Sequence, residues 1–180
     1  MKKINMGCGW RDFGDTWIHI DGGNYDHLDY NSITDLSQFP DDTIDLIYAS
    51  HVVEYFDRDE VLPLLKEWKR ILKPGAILRV AVPNFELLAS LYLENKISLS
   101  EILGPLYGKM AMGNDKIYHK TTYDYVSLEK VLKDSGYGDI KMYDWREVEH
   151  GNHDDHSQAY IPHMDKENGT LISLNVECVK

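Results

Sequence analysis

Apolar positions along the chain switch between two periods, and the switches mark the elements. Ile4 to Met6 and Trp17 to Ile20 are short apolar strands. Ile44 to Ser50 is a largely apolar run bounded by turn residues, as expected of a central strand buried between two layers. From Asp57 to Leu72 the apolar residues, Leu64, Leu65, Trp68 and Ile71 among them, recur at helical spacing until Lys73-Pro74-Gly75 stops the pattern. Ala76 to Val82 predicts another interior strand, Pro83-Asn84 ends it, and Phe85 to Leu93 resumes the helical period. Further on, Val126 to Asp134 predicts a helix, Asp139 to Val148 a strand, and Gly169 to Val179 a final alternating strand. Strands alternating with helices predict an α/β fold with a parallel sheet. Two stretches stand apart. Residues 104–125 are rich in glycine and tyrosine without a clean period and read as a functional loop region able to close over a substrate. A long polar insertion separates the last two strands.

The junction between the first two strands carries the chemistry. Ile4 to Met6 runs into a glycine turn, Gly7-Cys8-Gly9, and the second strand ends on Asp21 with Gly22 and Gly23 beside it. Glycines let backbone approach a ligand, and a carboxylate at the tip of the next strand can accept hydrogen bonds from both ribose hydroxyls. A dinucleotide site would need a full helix after the turn to hold pyrophosphate, with the acid about 20 residues further on. Only Trp10 to Thr16 intervenes here, which suits a tight loop. The spacing therefore disfavours a nicotinamide cofactor. It favours a ligand with ribose and no phosphate, of which S-adenosylmethionine is the commonest.

Length and charge narrow the reading further. With 180 residues the chain suits one domain, residues 1–180, with a single sizeable core. Its net charge of −11 argues against nucleic acid, whose binding surfaces cluster lysine and arginine. The two cysteines, Cys8 and Cys178, lack metal-type spacing. No apolar run is long enough for a signal sequence or a membrane span, so a cytoplasmic protein without a membrane partner is expected.

Taken in order, the glycine turn, Asp21, Asp35, the run Tyr48-Ala49-Ser50-His51-Val52-Val53-Glu54-Tyr55-Phe56 and Leu72-Lys73-Pro74-Gly75 make the chain resemble the class I, Rossmann-like methyltransferases that use S-adenosylmethionine. It is similar in particular to small bacterial and phage enzymes of polysaccharide or small-molecule methylation. The resemblance implies a three-layer sandwich around a mostly parallel seven-stranded sheet with an antiparallel last strand. It also implies that Met6, Gly7, Cys8 and Gly9 run past the amino acid moiety of S-adenosylmethionine and that Asp21 and Gly22 flank its ribose. Asp35 and the Leu36 backbone would hold the adenine edge, and Ser50 and His51 would sit beside the methyl group. Because the segment after the turn is short, Arg11 is the candidate to hold the methionine carboxylate through a charge-assisted pair.

Methyl transfer needs alignment, exclusion of water and, for a hydroxyl acceptor, a general base. Histidine titrates near neutrality, which makes His51, His119 and His156 the candidates. Glu54, three residues after His51, reads as a helix-dipole carboxylate of structural role. The His- and Asp-rich segment 149–163 reads as a substrate-binding or homodimer loop, and no metal is assigned to it because adjacent residues rarely converge on one ion. The chain lacks the Asn-Pro-Pro-Tyr type signature of amide-directed DNA and protein methyltransferases after its central strand. A small-molecule or sugar acceptor, methylated on oxygen in preference to nitrogen, is therefore expected. The competing expectation is a non-catalytic nucleoside-binding module that acts with a partner protein.

Overall fold

Short apolar runs that alternate in and out form a sheet whose two sides are covered differently. The structure is a computed structural model that describes residues 1–112 and 115–180. Residues 113 and 114 of the 104–125 stretch lie outside the described residues. The elements are β1 (Lys3–Met6), β2 (Trp17–Ile20), β3 (Ile44–Ser50), α1 (Val61–Ile71), β4 (Leu72–Pro83), α2 (Phe85–Leu93), α3 (Leu99–Tyr107), β5 (Met110–Met112), β6 (Asp115–Ile117), α4 (Tyr125–Asp134), β7 (Gly138–Met142), β8 (Tyr160–Ile161), β9 (Thr170–Leu171) and β10 (Ser173–Val179). The main sheet has the order β2-β1-β3-β4-β10-β7. The strands β2, β1, β3 and β4 pair in parallel, and β10 runs antiparallel to both β4 and β7.

This is the expected Rossmann-like, mostly parallel α/β fold, with two differences of detail. Among the described residues the main sheet holds six strands, not seven. Beyond β2 the polar stretch after Asp21 offers only a single bridge, Ile20 to Tyr30, and no strand forms there. The antiparallel last strand is present, but it lies inside the sheet between β4 and β7.

One face of the sheet buries Ile4, Met6, Ile47, Val80 and Val176 against Leu65 and Trp68 of α1 and Leu128 of α4. This is the larger core cluster. The opposite face carries Trp17, Tyr48, Leu46 and Ile77, covered by Phe13 rather than by an α-helix. The third layer of the sandwich is thus made of loops: the segment after β1 and the long insertion between β7 and β10. From that insertion His150 stacks on Tyr48 with ring centroids 3.7 Å apart, and His153 stacks on Phe13 at 4.0 Å.

Local signals explain the helix boundaries. Asn84 caps α2 by accepting from the Leu87 amide, and Asp124 caps α4 by accepting from Ser127. Residues 104–107, read from the sequence as loop, belong to α3, which Ser98 and Glu101 start with a capping box. The rest of that stretch, among the described residues, includes the β5–β6 hairpin. The predicted strand Asp139 to Val148 ends at Met142, and Gly169 to Val179 divides into β9 and β10. No helix among the described residues is long and apolar enough to cross a membrane.

Candidate active site

The glycine turn closes on the end of β2. Gly7 N donates to Ile20 O at 2.6 Å, Gly9 N donates to Asp21 Oδ2 at 2.8 Å, and Gly23 N donates to Asp21 Oδ1 at 2.7 Å. Gly7 holds φ at +68°, and a Cβ there would collide with Val52 Cγ2, so only glycine fits. Asp21 is 5% exposed. Each of its carboxylate oxygens has accepted one backbone N–H and retains a further lone pair.

Above this turn lies a cavity of about 490 Å³ whose wall includes Gly7, Asp21, Gly22, Ile33, Val52 and Phe56. Its roof comes from the β5–β6 hairpin, through Met110, Met112 and Ile117. A second cavity, of about 600 Å³, opens between α3 and the end of the long insertion. His51, Tyr55, Met110 and His119 line both. A molecule in either space therefore meets the other across these four side chains.

The partition holds a buried proton-binding cluster. His51 follows β3 with φ at 55°, in the left-handed region, a conformation that costs a residue with a Cβ about 1 kcal/mol or more and that gathers at functional sites. Its Nδ1 lies 3.4 Å from Glu54 Oε1, and its Nε2 lies 3.4 Å from Ser173 Oγ. Asn175 Nδ2 donates to Ser157 O at 2.9 Å, which leaves Asn175 Oδ1 to accept from Ser173 Oγ at 2.8 Å. With its proton spent there, Ser173 presents a lone pair to His51, so Nε2 carries the N–H and Nδ1 the lone pair. His119 Nδ1 lies 3.1 Å from Pro105 O and so carries its N–H, leaving the lone pair on Nε2, 3.8 Å from the same Glu54 oxygen.

Two imidazole lone pairs thus face one carboxyl. Glu54 is 0% exposed, and neither oxygen has an aligned hydrogen bond among the described residues. Burial pushes its pKa up to about 8, so at neutral pH it holds its proton. Burial likewise lowers His51 well below its ordinary range, with the neighbouring His156 and His119 adding to the effect, and it lowers His119. The cluster is therefore uncharged at pH 7. Glu54 is the residue that sequence reasoning set aside: it sits in the 3₁₀ turn Val53–Tyr55, and the His51-x-x-Glu54 spacing was the available signal.

Other expected residues are distributed as follows. The His156 ring is 5.1 Å from His51 and lines the second cavity. Ser50 Oγ accepts from Ser157 N at 3.1 Å. Met6 is wholly buried in the core, and Cys8 lies 3.7 Å from His27 Nε2. Arg11 donates to Asp154 O at 3.0 Å, stacks its guanidinium over Trp10 and lines neither cavity. Asp35 is exposed and accepts from Ser37 N at 3.1 Å, while Leu36 is buried in the core; of this segment only Ile33 reaches the first cavity. Among the described residues no three His, Cys, Asp or Glu side chains converge as metal ligands.

Residues 22–80 match the family model of a methyltransferase domain. That segment runs from Gly22 through β3 and α1 into β4, so it includes His51 and Glu54. No curated protein matches the sequence significantly. The fold is that of solved S-adenosylmethionine-dependent methyltransferases. One from Archaeoglobus fulgidus superposes with a TM-score of 0.59 at 16% identity, covering 99% of this chain and 86% of that one. One from Methanosarcina mazei superposes at 0.54 and 17% identity, covering 99% and 92%. The 1,6-didemethyltoxoflavin-N1-methyltransferase of Burkholderia thailandensis, solved with bound 1,6-didemethyltoxoflavin and S-adenosylhomocysteine, superposes at 0.58 and 10% identity, covering 99% and 70%.

Proposed function

We propose that this protein is an enzyme that moves a methyl group from S-adenosylmethionine to an oxygen, in preference to a nitrogen, of a small molecule or sugar. The observation that carries this reading is the pair of cavities that meet at His51, Tyr55, Met110 and His119. The first has what an adenosyl ligand requires: glycine backbone in the wall at Gly7 and Gly22, apolar surface from Ile33 and Phe56, and a buried carboxylate with lone pairs to spare at Asp21. S-adenosylmethionine supplies an electrophilic methyl on a sulfonium. The chain's own residues bind and align, keep water out of the junction, and take the acceptor's proton at His51 Nδ1 or His119 Nε2. The match of residues 22–80 to a methyltransferase domain and the shared fold support the same reading.

Calorimetric titration with S-adenosylmethionine, S-adenosylhomocysteine and NAD, run on the wild type and Asp21→Ala, tests it. The adenosyl sulfur ligands should bind in preference to NAD. Asp21→Ala should weaken them by about 1–3 kcal/mol, the scale of an unpaired polar group. A preference for NAD, or affinity indifferent to Asp21, would overturn the assignment.

A further inference from the structure

The second cavity says more about the acceptor than its size. Its lining is dominated by apolar surface from Pro83, Pro105, Met110, Ile161, Met164 and Ile172. Among the described residues that line it there is no Arg, Asp, Asn, Gln, Ser or Thr, and its charged groups, Glu101 and Lys109, are both exposed. Of the six uncharged polar side chains that face it, Tyr160, His119 and His51 have polar neighbours, and Tyr55, His156 and His163 are left to answer a ligand. Tyr160 Oη accepts from Arg146 Nη2 at 2.7 Å, His119 Nδ1 is held at Pro105 O, and His51 Nε2 faces Ser173 Oγ at 3.4 Å. A sugar placed here would lose water from a ring of hydroxyls and find few partners, and each unpaired hydroxyl costs affinity. A phosphate or carboxylate would find no buried cation, in a chain whose net charge is −11.

From this lining we infer that the acceptor is an uncharged aromatic compound bearing one hydroxyl, a phenol-type molecule, and not a sugar. The inference rests on the methyltransferase reading above and narrows its substrate. Flat rings suit a space walled by proline, methionine and isoleucine, and methionine sulfur favours aromatic edges. Acidity points the same way. A phenol ionises near pH 10, as tyrosine does, whereas hydroxyls as weakly acidic as water stand near 15.7. Imidazoles whose basicity burial has reduced take a proton more readily from the more acidic class. In the transfer the phenolic oxygen's lone pair forms the new C–O bond, the S–C bond pair returns to sulfur, and the phenolic proton passes to the His51–Glu54–His119 cluster.

The test uses 2-naphthol, which reports its own binding by fluorescence, against glucose followed by calorimetry. Both are titrated into the wild type and into Ala159→Phe and Ile161→Phe, which fill the second cavity from its insertion side. S-adenosylhomocysteine binding is measured on all three proteins as a check that the first cavity is intact. The expected result is saturable binding of 2-naphthol and none of glucose. At least one filled variant should lose tenfold or more in naphthol affinity while holding S-adenosylhomocysteine as the wild type does. Glucose binding as tightly as 2-naphthol, or naphthol affinity unchanged in both filled variants, would overturn the inference. Absence of S-adenosylhomocysteine binding to the wild type would instead bring down the methyltransferase reading, and this inference with it.

Discussion

The same strands present two unlike faces. On the helix side, β1, β3, β4 and β10 show Ile4, Met6, Ile47, Val80 and Val176 to α1 and α4. On the loop side they show Asn5, Tyr48, Arg79, Asn175 and Glu177, of which the first four are buried. The difference follows from what covers each face. A helix satisfies its own backbone, so the strands beneath it can be wholly apolar. A loop laid on a sheet brings unpaired N–H and C=O groups that need partners, and here the strands provide them. Ser50 Oγ accepts from Ser157 N, Asn175 Nδ2 donates to Ser157 O, and Tyr48 Oη donates to the buried Asp155 carboxylate. The loop in turn ends at the second cavity with His156, Tyr160 and Ile161. The polar face therefore anchors one wall of the site, while the apolar face carries most of the core.

If that division is right, the two faces should fail in different ways. A large loss is expected at Arg79, 9% exposed, whose Nη1 pairs with Glu149 and whose Nε pairs with Glu177 at 2.9 Å. Arg79→Ala leaves two carboxylates in the loop layer, with only Lys141, 3.2 Å from Glu177, as compensation. Because Glu149 is exposed and Glu177 half-buried, the loss sits at the low end for a buried pair, about 3 kcal/mol, read as a fall in the urea midpoint of unfolding. A loss below about 1 kcal/mol, the value of an exposed pair, would show that the polar face is solvated and that the comparison is misdrawn. Leu65→Ala on the helix side removes a fully buried side chain and should cost about 3 kcal/mol through lost burial and the cavity left behind. Ionic strength separates the two positions. Salt should narrow the Arg79 deficit and leave the Leu65 deficit alone, because only the first is partly a matter of charge.

The helix face was far more legible in the sequence than the loop face, and the reason is physical. Apolar side chains at a regular period report burial directly, so β3, α1, β4 and α2 emerge from spacing alone with boundaries a few residues wide. The fate of the polar residues does not follow from period. Asp155 and Ser157 look like any solvated loop, yet both are buried because they answer groups on strands more than a hundred residues earlier in the chain. The α3 helix was hidden by Gly104 and Pro105, residues that usually break helices, although Ser98 and Glu101 announced its start. The glycine turn and Asp21 were conspicuous because few other roles suit that spacing. Glu54 was not, because a carboxylate early in a helical turn has an ordinary explanation that burial alone removes.

Glu54 departs from this division of the two faces. On the loop face the acids have partners: half-buried Glu177 has Arg79, and buried Asp155 has Tyr48 and the Ser157 amide. Glu54 belongs to the apolar side, next to Val53 and near Tyr123, and has only the two histidine nitrogens at 3.4 and 3.8 Å. Its pKa is raised from 4.5 to about 8, so the folded protein prefers the protonated acid. The stability that this preference contributes is complete below pH 4.5 and is lost as pH climbs towards 8. Glu54→Gln keeps the shape and removes the titration. The variant should therefore gain on the wild type as pH rises from 5 to 8, by on the order of 2 kcal/mol, less than the full shift implies because His51 and His119 can share the proton. His51, lowered by burial, works in the opposite direction, stabilising the fold above pH 6.5 and losing that contribution as pH falls. Since His51 is present in both proteins, the difference between their thermal midpoints across pH isolates Glu54. A difference that stays flat from pH 5 to 8 would mean that the carboxyl titrates normally and that its charge is already compensated.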